Sequence, residues 1–184
     1  MTTIRSFFLG LCFTLCALTS SAQGPIYMQV AGGPQGEVTQ TGFIGWTEIN
    51  DFNAGSTLEV ALGGGGGGGA GIPATKCFTI SMFQDKASYY LKRQLYIGLP
   101  ITRVELFFQQ ANSGGTLSTY YKVLMENVYV TAIEEAGNQD GRSLMNVSFT
   151  PGRFKYTYIP LSAGGNPGTP VVFGWDVAQN VQWF

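Results

Sequence analysis

The chain has no histidine in 184 residues, and that absence narrows the chemistry open to it. Serine triads, cysteine–histidine dyads and the usual zinc sites draw on imidazole, so most hydrolases and zinc modules fall away. Cysteine is nearly as scarce: Cys12 and Cys16 lie in the first 22 residues, leaving Cys77, and one thiol cannot close an intramolecular disulfide. Charged residues make up only 11% of the chain, at a formal net charge of −1, which offers no electrostatic footprint for nucleic acid or anionic lipid. The apolar run over residues 7–18 is too short for a stable membrane span, which takes roughly 20 residues.

That run fits another role. Residues 1–22 read as a secretory signal peptide, with Arg5 in a short positive start, the apolar core, and small residues Ser20, Ser21 and Ala22 ahead of Gln23. Phe13, Thr14 and Leu15 ahead of Cys16 do not suit a lipoprotein site. The expectation is a leader, 1–22, and a single mature domain, 23–184, exported to the periplasm or beyond. Losing Arg5 makes the mature domain one unit more negative than the full chain. An exported domain without a disulfide must rely on packing or on subunit contacts. Cys77, within Lys76-Cys77-Phe78-Thr79-Ile80, is expected as a buried strand thiol.

What the chain has in quantity is glycine, and seven stand in a row: Gly63, Gly64, Gly65, Gly66, Gly67, Gly68 and Gly69, followed by Ala70 and Gly71. Such a run loses the most conformational freedom on ordering and packs nothing, so it is expected as a loop or an arm, not as a strand or helix. A long connection of that kind in a compact domain is functional or disordered. A floppy linker and an arm that orders against a neighbouring chain both fit. A phosphate-binding loop does not, because Gly71 is followed by Ile72-Pro73-Ala74 where Gly-Lys-Ser/Thr is required.

Around the glycines the mature chain alternates with period two almost throughout. Strands are expected over residues 26–30, 43–52, 57–62, 76–83, 101–109, 118–133, 144–149, 154–159 and 171–184. Val104, Leu106 and Phe108 share one face, as do Met145, Val147 and Phe149. Residues 112–115 (Asn-Ser-Gly-Gly) should turn a hairpin and residues 134–141 a polar turn. One helix stands out, with Asp85 as its cap, Ala87, Tyr90, Leu91 and Leu95 on one stripe, Gly98 as a left-handed stop and Pro100 beyond. Lys92 and Arg93 are expected to complement its negative pole. The fold class is therefore mainly β: an antiparallel barrel or two packed sheets, with one side helix and a long glycine-rich loop.

No set of residues points to catalysis, a metal or a cofactor. Glu134 and Glu135 are adjacent and read as solvated, and a carboxylate pair would have to be assembled from distant strands. Asn146-Val147-Ser148 matches a glycosylation pattern but sits inside an alternating strand. Aromatic residues make up 14% of the chain, among them Trp46, Trp175 and Trp183. They suit barrel core and subunit interface better than a sugar-stacking platform, although a monomeric secreted module binding glycans or protein stays open.

Trp46 in Phe43-Ile44-Gly45-Trp46, the glycine arm ahead of a strand and helix, the hairpin around Gly114-Gly115 and the run Phe173-Gly174-Trp175-Asp176-Val177-Ala178-Gln179-Asn180-Val181-Gln182 together resemble the haemolysin co-regulated protein (Hcp) family of type VI secretion systems. The resemblance extends over residues 26–182. It implies a β-barrel with a side helix, hexameric rings stacked head to tail into a tube, a lumen that carries small effector proteins, and no catalysis. It also implies that the loop at residues 63–71 takes part in contacts between rings. The leader departs from the pattern, since family members loaded into the injection machine are made without one. Either this chain assembles outside the cytoplasm, the preferred reading, or its leader is inefficient and the conventional role survives.

Overall fold

The computed structural model describes residues 23–61, 69–112, 114–137 and 141–184; the proposed leader, Gly63 to Gly68 and part of the polar turn expected at 134–141 lie outside the described residues. In chain order the elements are β1 Gln23–Val30, β2 Thr47–Ile49, β3 Asp51–Asn53, β4 Ser56–Thr57, β5 Val60–Ala61, β6 Gly69–Ala70, β7 Ala74–Thr75, β8 Phe78–Phe83, α1 Lys86–Ile97, β9 Ile101–Ala111, β10 Leu117–Ala136, β11 Leu144–Tyr158, β12 Val171–Asp176 and β13 Val181–Gln182.

Strand pairing forms a circuit, antiparallel throughout. β1 pairs with β2 and β9, β9 with β10, β10 with β11, β11 with β8, and β8 with β3. β3 continues β2 across Asn50, whose N–H donates to the Ser81 carbonyl at 2.7 Å, so the path returns to its start as a barrel. Alternation then places one face of every strand inside. Ile26, Met28, Ile49, Ile80, Met82, Val104, Leu106, Val123, Met125, Met145, Val147 and Phe149 are all buried there. β12 and β13 extend the sheet outside the circuit along the second half of β11.

The alternating directions sort the connections into two ends. The loop from β1 to β2, the helix between β8 and β9, and the turn from β10 to β11 lie at one end. The start of β1, the segment from β3 to β8, the β9–β10 hairpin and the loop after β11 lie at the other. At this second end five rings from five strands make a closed circuit: Phe52 to Phe78 at 6.1 Å, Phe78 to Tyr156 at 6.2 Å, Tyr156 to Tyr121 at 5.9 Å, Tyr121 to Phe108 at 5.0 Å and Phe108 to Phe52 at 5.5 Å. Aromatic side chains thus close the mouth from which the glycine-rich segment departs.

The helix forms as its sequence dictates. Asp85 Oδ1 accepts from the Ser88 N–H at 3.1 Å, Ser88 Oγ accepts from the Asp85 N–H at 2.9 Å, and Gly98 takes φ 66° at the stop. Leu91 and Ala87 are buried, with Tyr90 and Leu95 packed against the core. Lys92 does not serve the helix pole: it pairs with Glu135 at 2.5 Å, and no basic residue lies in the last turn.

Four further expectations change. Residues 43–46 turn instead of extending, with Gly45 at φ 78°, so the second strand starts at Thr47. The strands expected at 144–149 and 154–159 are one strand, β11, because Pro151 falls in the gap between two of its partners: β8 pairs with β11 only as far as Phe149 and β12 ends opposite Arg153. Glu134 and Glu135 still belong to β10, opposite Asn146 and Met145. Cys77 precedes β8 and is exposed, with Sγ 3.6 Å from the Thr150 hydroxyl.

Candidate functional site

The candidate site is a set of surfaces. The glycine-rich segment is expected as a loop or arm, and the structure shows an arm paired with itself. β4 pairs with β7 and β5 with β6, as two short ladders that do not join the nine-stranded sheet. Gly69 and Ala70 are strand residues opposite Ala61 and Val60, and the Gly71 N–H donates to the Glu59 carbonyl at 2.9 Å. The expectation that no strand would include the glycines therefore fails at Gly69, where a partner strand supplies the hydrogen bonds. Leu58, Val60 and Ile72 stand exposed along this ribbon. A two-stranded ribbon with no core beneath it is marginal in water.

The three tryptophans are not brought together. Trp46 lies edge-on to Phe43 at 5.2 Å and to Phe107 at 5.0 Å, outside the barrel, and Phe43 in turn packs on Tyr27 at 4.5 Å. Trp175 is half-buried and packs against the core. Trp183 lies on the outer face with the Arg153 guanidinium 4.4 Å and the Lys155 ammonium 5.6 Å from its ring centroid. That face carries alternating charge: Arg103, Glu126, Arg153 and Asp176 are successive partners across β9, β10, β11 and β12, and Arg153 Nε donates to Glu126 Oε2 at 2.7 Å.

At the helix end a cleft of about 550 Å³ gathers Tyr27, Glu37, Glu48, Asp85 and Arg142. Asp85 is committed to structure, as helix cap and as acceptor from the Thr47 hydroxyl at 2.8 Å. Burial, with help from the Glu48 carboxylate, raises the Tyr27 phenol above its ordinary range. Among the described residues no group of three or more His, Cys, Asp or Glu could hold a metal ion, and no helix is long and apolar enough to cross a membrane.

Two surfaces escape the sequence reading. One is the outward face of α1, where Lys86, Tyr89, Arg93 and Tyr96 recur at helical spacing, all exposed. The other is the flank of β12, where Val171, Val172 and Phe173 are exposed and β13 covers only Trp175 and Asp176. The 3-4-3 spacing of the helix residues was available as a signal. The β12 flank depends on where β13 stops.

Comparison with known proteins agrees with this architecture. The Major exported protein of Pseudomonas aeruginosa is 26% identical over 160 residues, spanning 77% of this chain and 93% of that protein. A solved structure described as a type six secretion system protein superposes with a TM-score of 0.79 at 20% identity, over 87% of this chain and 99% of its own. Hcp1 from Salmonella typhimurium gives 0.70 at 19% identity, over 88% and 99%. These two likenesses establish the fold. The family described as "Type VI secretion system effector, Hcp" matches residues 27–158. The chain therefore belongs to the Hcp family of type VI secretion tube proteins.

Proposed function

We propose that the chain is a structural subunit without catalytic activity or cofactor, that six copies close into a ring, and that rings stack head to tail into a tube whose lumen carries small effector proteins. Residues 1–22 direct export, so assembly takes place in the periplasm or outside the cell. Neither nucleic acid nor stable membrane insertion enters this reading. The name of the Pseudomonas relative, an exported protein, supports the export step.

The observation that carries the reading is the arm. Among the described residues it leaves the barrel at the aromatic mouth, pairs only with itself and exposes Leu58, Val60 and Ile72. A monomer gains nothing from such a ribbon, whereas a second copy can cover it. Residues 63–71 and their neighbours dock on the next ring, partly through backbone hydrogen bonds, and barrel sides meet within each ring. A heterologous contact closes when its rotation divides a full turn, and stacking then extends the assembly as a filament.

Electron microscopy of purified residues 23–184 tests this. The expected images are annular particles and stacks of them. Deleting residues 63–71 should leave the rings and abolish the stacks; long tubes from the deleted protein would remove the arm from the account.

A further inference from the structure

The arm and helix α1 occupy opposite ends of the barrel. The arm departs after β3 and returns before β8, whereas α1 follows β8 and precedes β9. The six residues of β8 alone separate the two by about 20 Å. Among the described residues the arm of one copy pairs with itself at the end opposite that copy's helix. In copies placed head to tail, the arm end of one meets the helix end of the next.

Their chemistry matches. The helix sequence KASYYLKRQLYI contains three basic residues and no acidic one. Lys92 pairs with Glu135 and lies 5.1 Å from the Tyr89 ring centroid, while Lys86 and Arg93 stand on the exposed face with Tyr89 and Tyr96. Tyr96 is 86% exposed, and Ile97 and Leu99 extend the apolar part of this face toward β9. Burying such tyrosines against a partner is favourable because each offers a large rigid contact area with a polar tip. The arm, in turn, carries one charge between residues 54 and 75, Glu59, flanked by exposed Leu58 and Val60. Extended from residue 54 to residue 61, it reaches about 26 Å.

We infer that the outward face of α1, formed by Lys86, Tyr89, Arg93 and Tyr96, is the receptor for the arm of the next copy. Leu58, Val60 and Ile72 cover Tyr89, Tyr96 and Leu99, and Glu59 meets Arg93 and Lys86. The contact joins one surface to a different one and leaves both free at the two ends of a pair, so it propagates as an open filament. This rests on the stacking reading above and names the surface that reading leaves unassigned.

The test is a cysteine cross-link in the mature chain. With Cys77→Ser removing the native thiol, Val60→Cys together with Tyr96→Cys should give, on mild oxidation, a ladder of covalent multimers, while either cysteine alone stops at dimers. A companion charge test uses Arg93→Glu, expected to lower the stacked fraction about tenfold because a modest loss is repeated at every contact around a ring. Adding Glu59→Arg should restore stacking. Unstacked rings in the single variant show that it is folded. If unmodified protein stacks but the double-cysteine protein gives no ladder and Arg93→Glu stacks normally, the receptor assignment fails while the stacking reading stands. If unmodified protein forms no stacks and no ladder appears, both fall.

Discussion

The backbone of Gly174 presses against the carbonyl of Trp183: a Cβ at position 174 would overlap that oxygen, and the Trp183 N–H donates to the Gly174 carbonyl at 3.0 Å. This close approach lets the chain end fold back along β12 and sets Trp183 over Arg153 and Lys155. Gly174→Ala should therefore detach the last residues and cost about 2 kcal/mol, in the range of overpacked positions. Urea unfolding monitored by tryptophan fluorescence measures it. An unchanged midpoint would mean that the terminal hairpin contributes nothing to stability.

Asp85 joins two elements at the helix end, capping α1 through Ser88 and accepting from the Thr47 hydroxyl on β2. Asp85→Ala removes the cap and leaves Thr47, which is buried, without its acceptor. The expected loss is about 2 kcal/mol, read by chemical denaturation. Asp85→Asn should recover part of it, because an amide oxygen can still cap.

Tyr121 and Tyr156 should titrate above the ordinary phenol range. Burial pushes the Tyr156 phenol up to about 12, and raises Tyr121 further with help from Tyr156 and then Tyr120. In the unfolded chain phenols ionise near pH ~10. The folded state therefore holds protons that the unfolded state has released, so stability is intact below about pH 10 and falls as pH rises toward about 12. Phenolate absorbance against pH, with parallel unfolding curves, checks both points. A single transition near pH 10 with constant stability would contradict the burial of these two rings.

Cys77 should react with a thiol reagent in native buffer. Its side chain is exposed beside Thr150 and Thr131 at the base of the arm. Stoichiometric labelling without denaturant is expected, and labelling only after unfolding would restore the buried thiol that its apolar neighbours in sequence suggest.

How much was legible in the sequence follows from how local each signal is. The helix announces itself through Asp85, its stripe and Gly98, all within fourteen consecutive residues. Val104, Leu106 and Phe108 declare their shared face by alternation alone, and it is buried as expected. Pro151 misleads because its tolerance depends on where the pairing of β8 and of β12 with β11 ends, which no local pattern records. The partner of Lys92 lies on β10, so a reading confined to the helix assigns that charge to the helix pole. The proposed assembly surfaces divide in the same way. The arm is visible as glycine, but its pairing and its position opposite α1 arise only when the strands close their circuit. Trp46, Trp175 and Trp183 look alike in sequence, yet each meets different neighbours.

Sedimentation velocity of purified residues 23–184 over a wide concentration range addresses the central claim, that this chain is built to assemble with copies of itself. The account predicts a discrete species of six chains, with larger stacked species growing as concentration rises. A lone compact monomer at every concentration, with the arm intact, would contradict it.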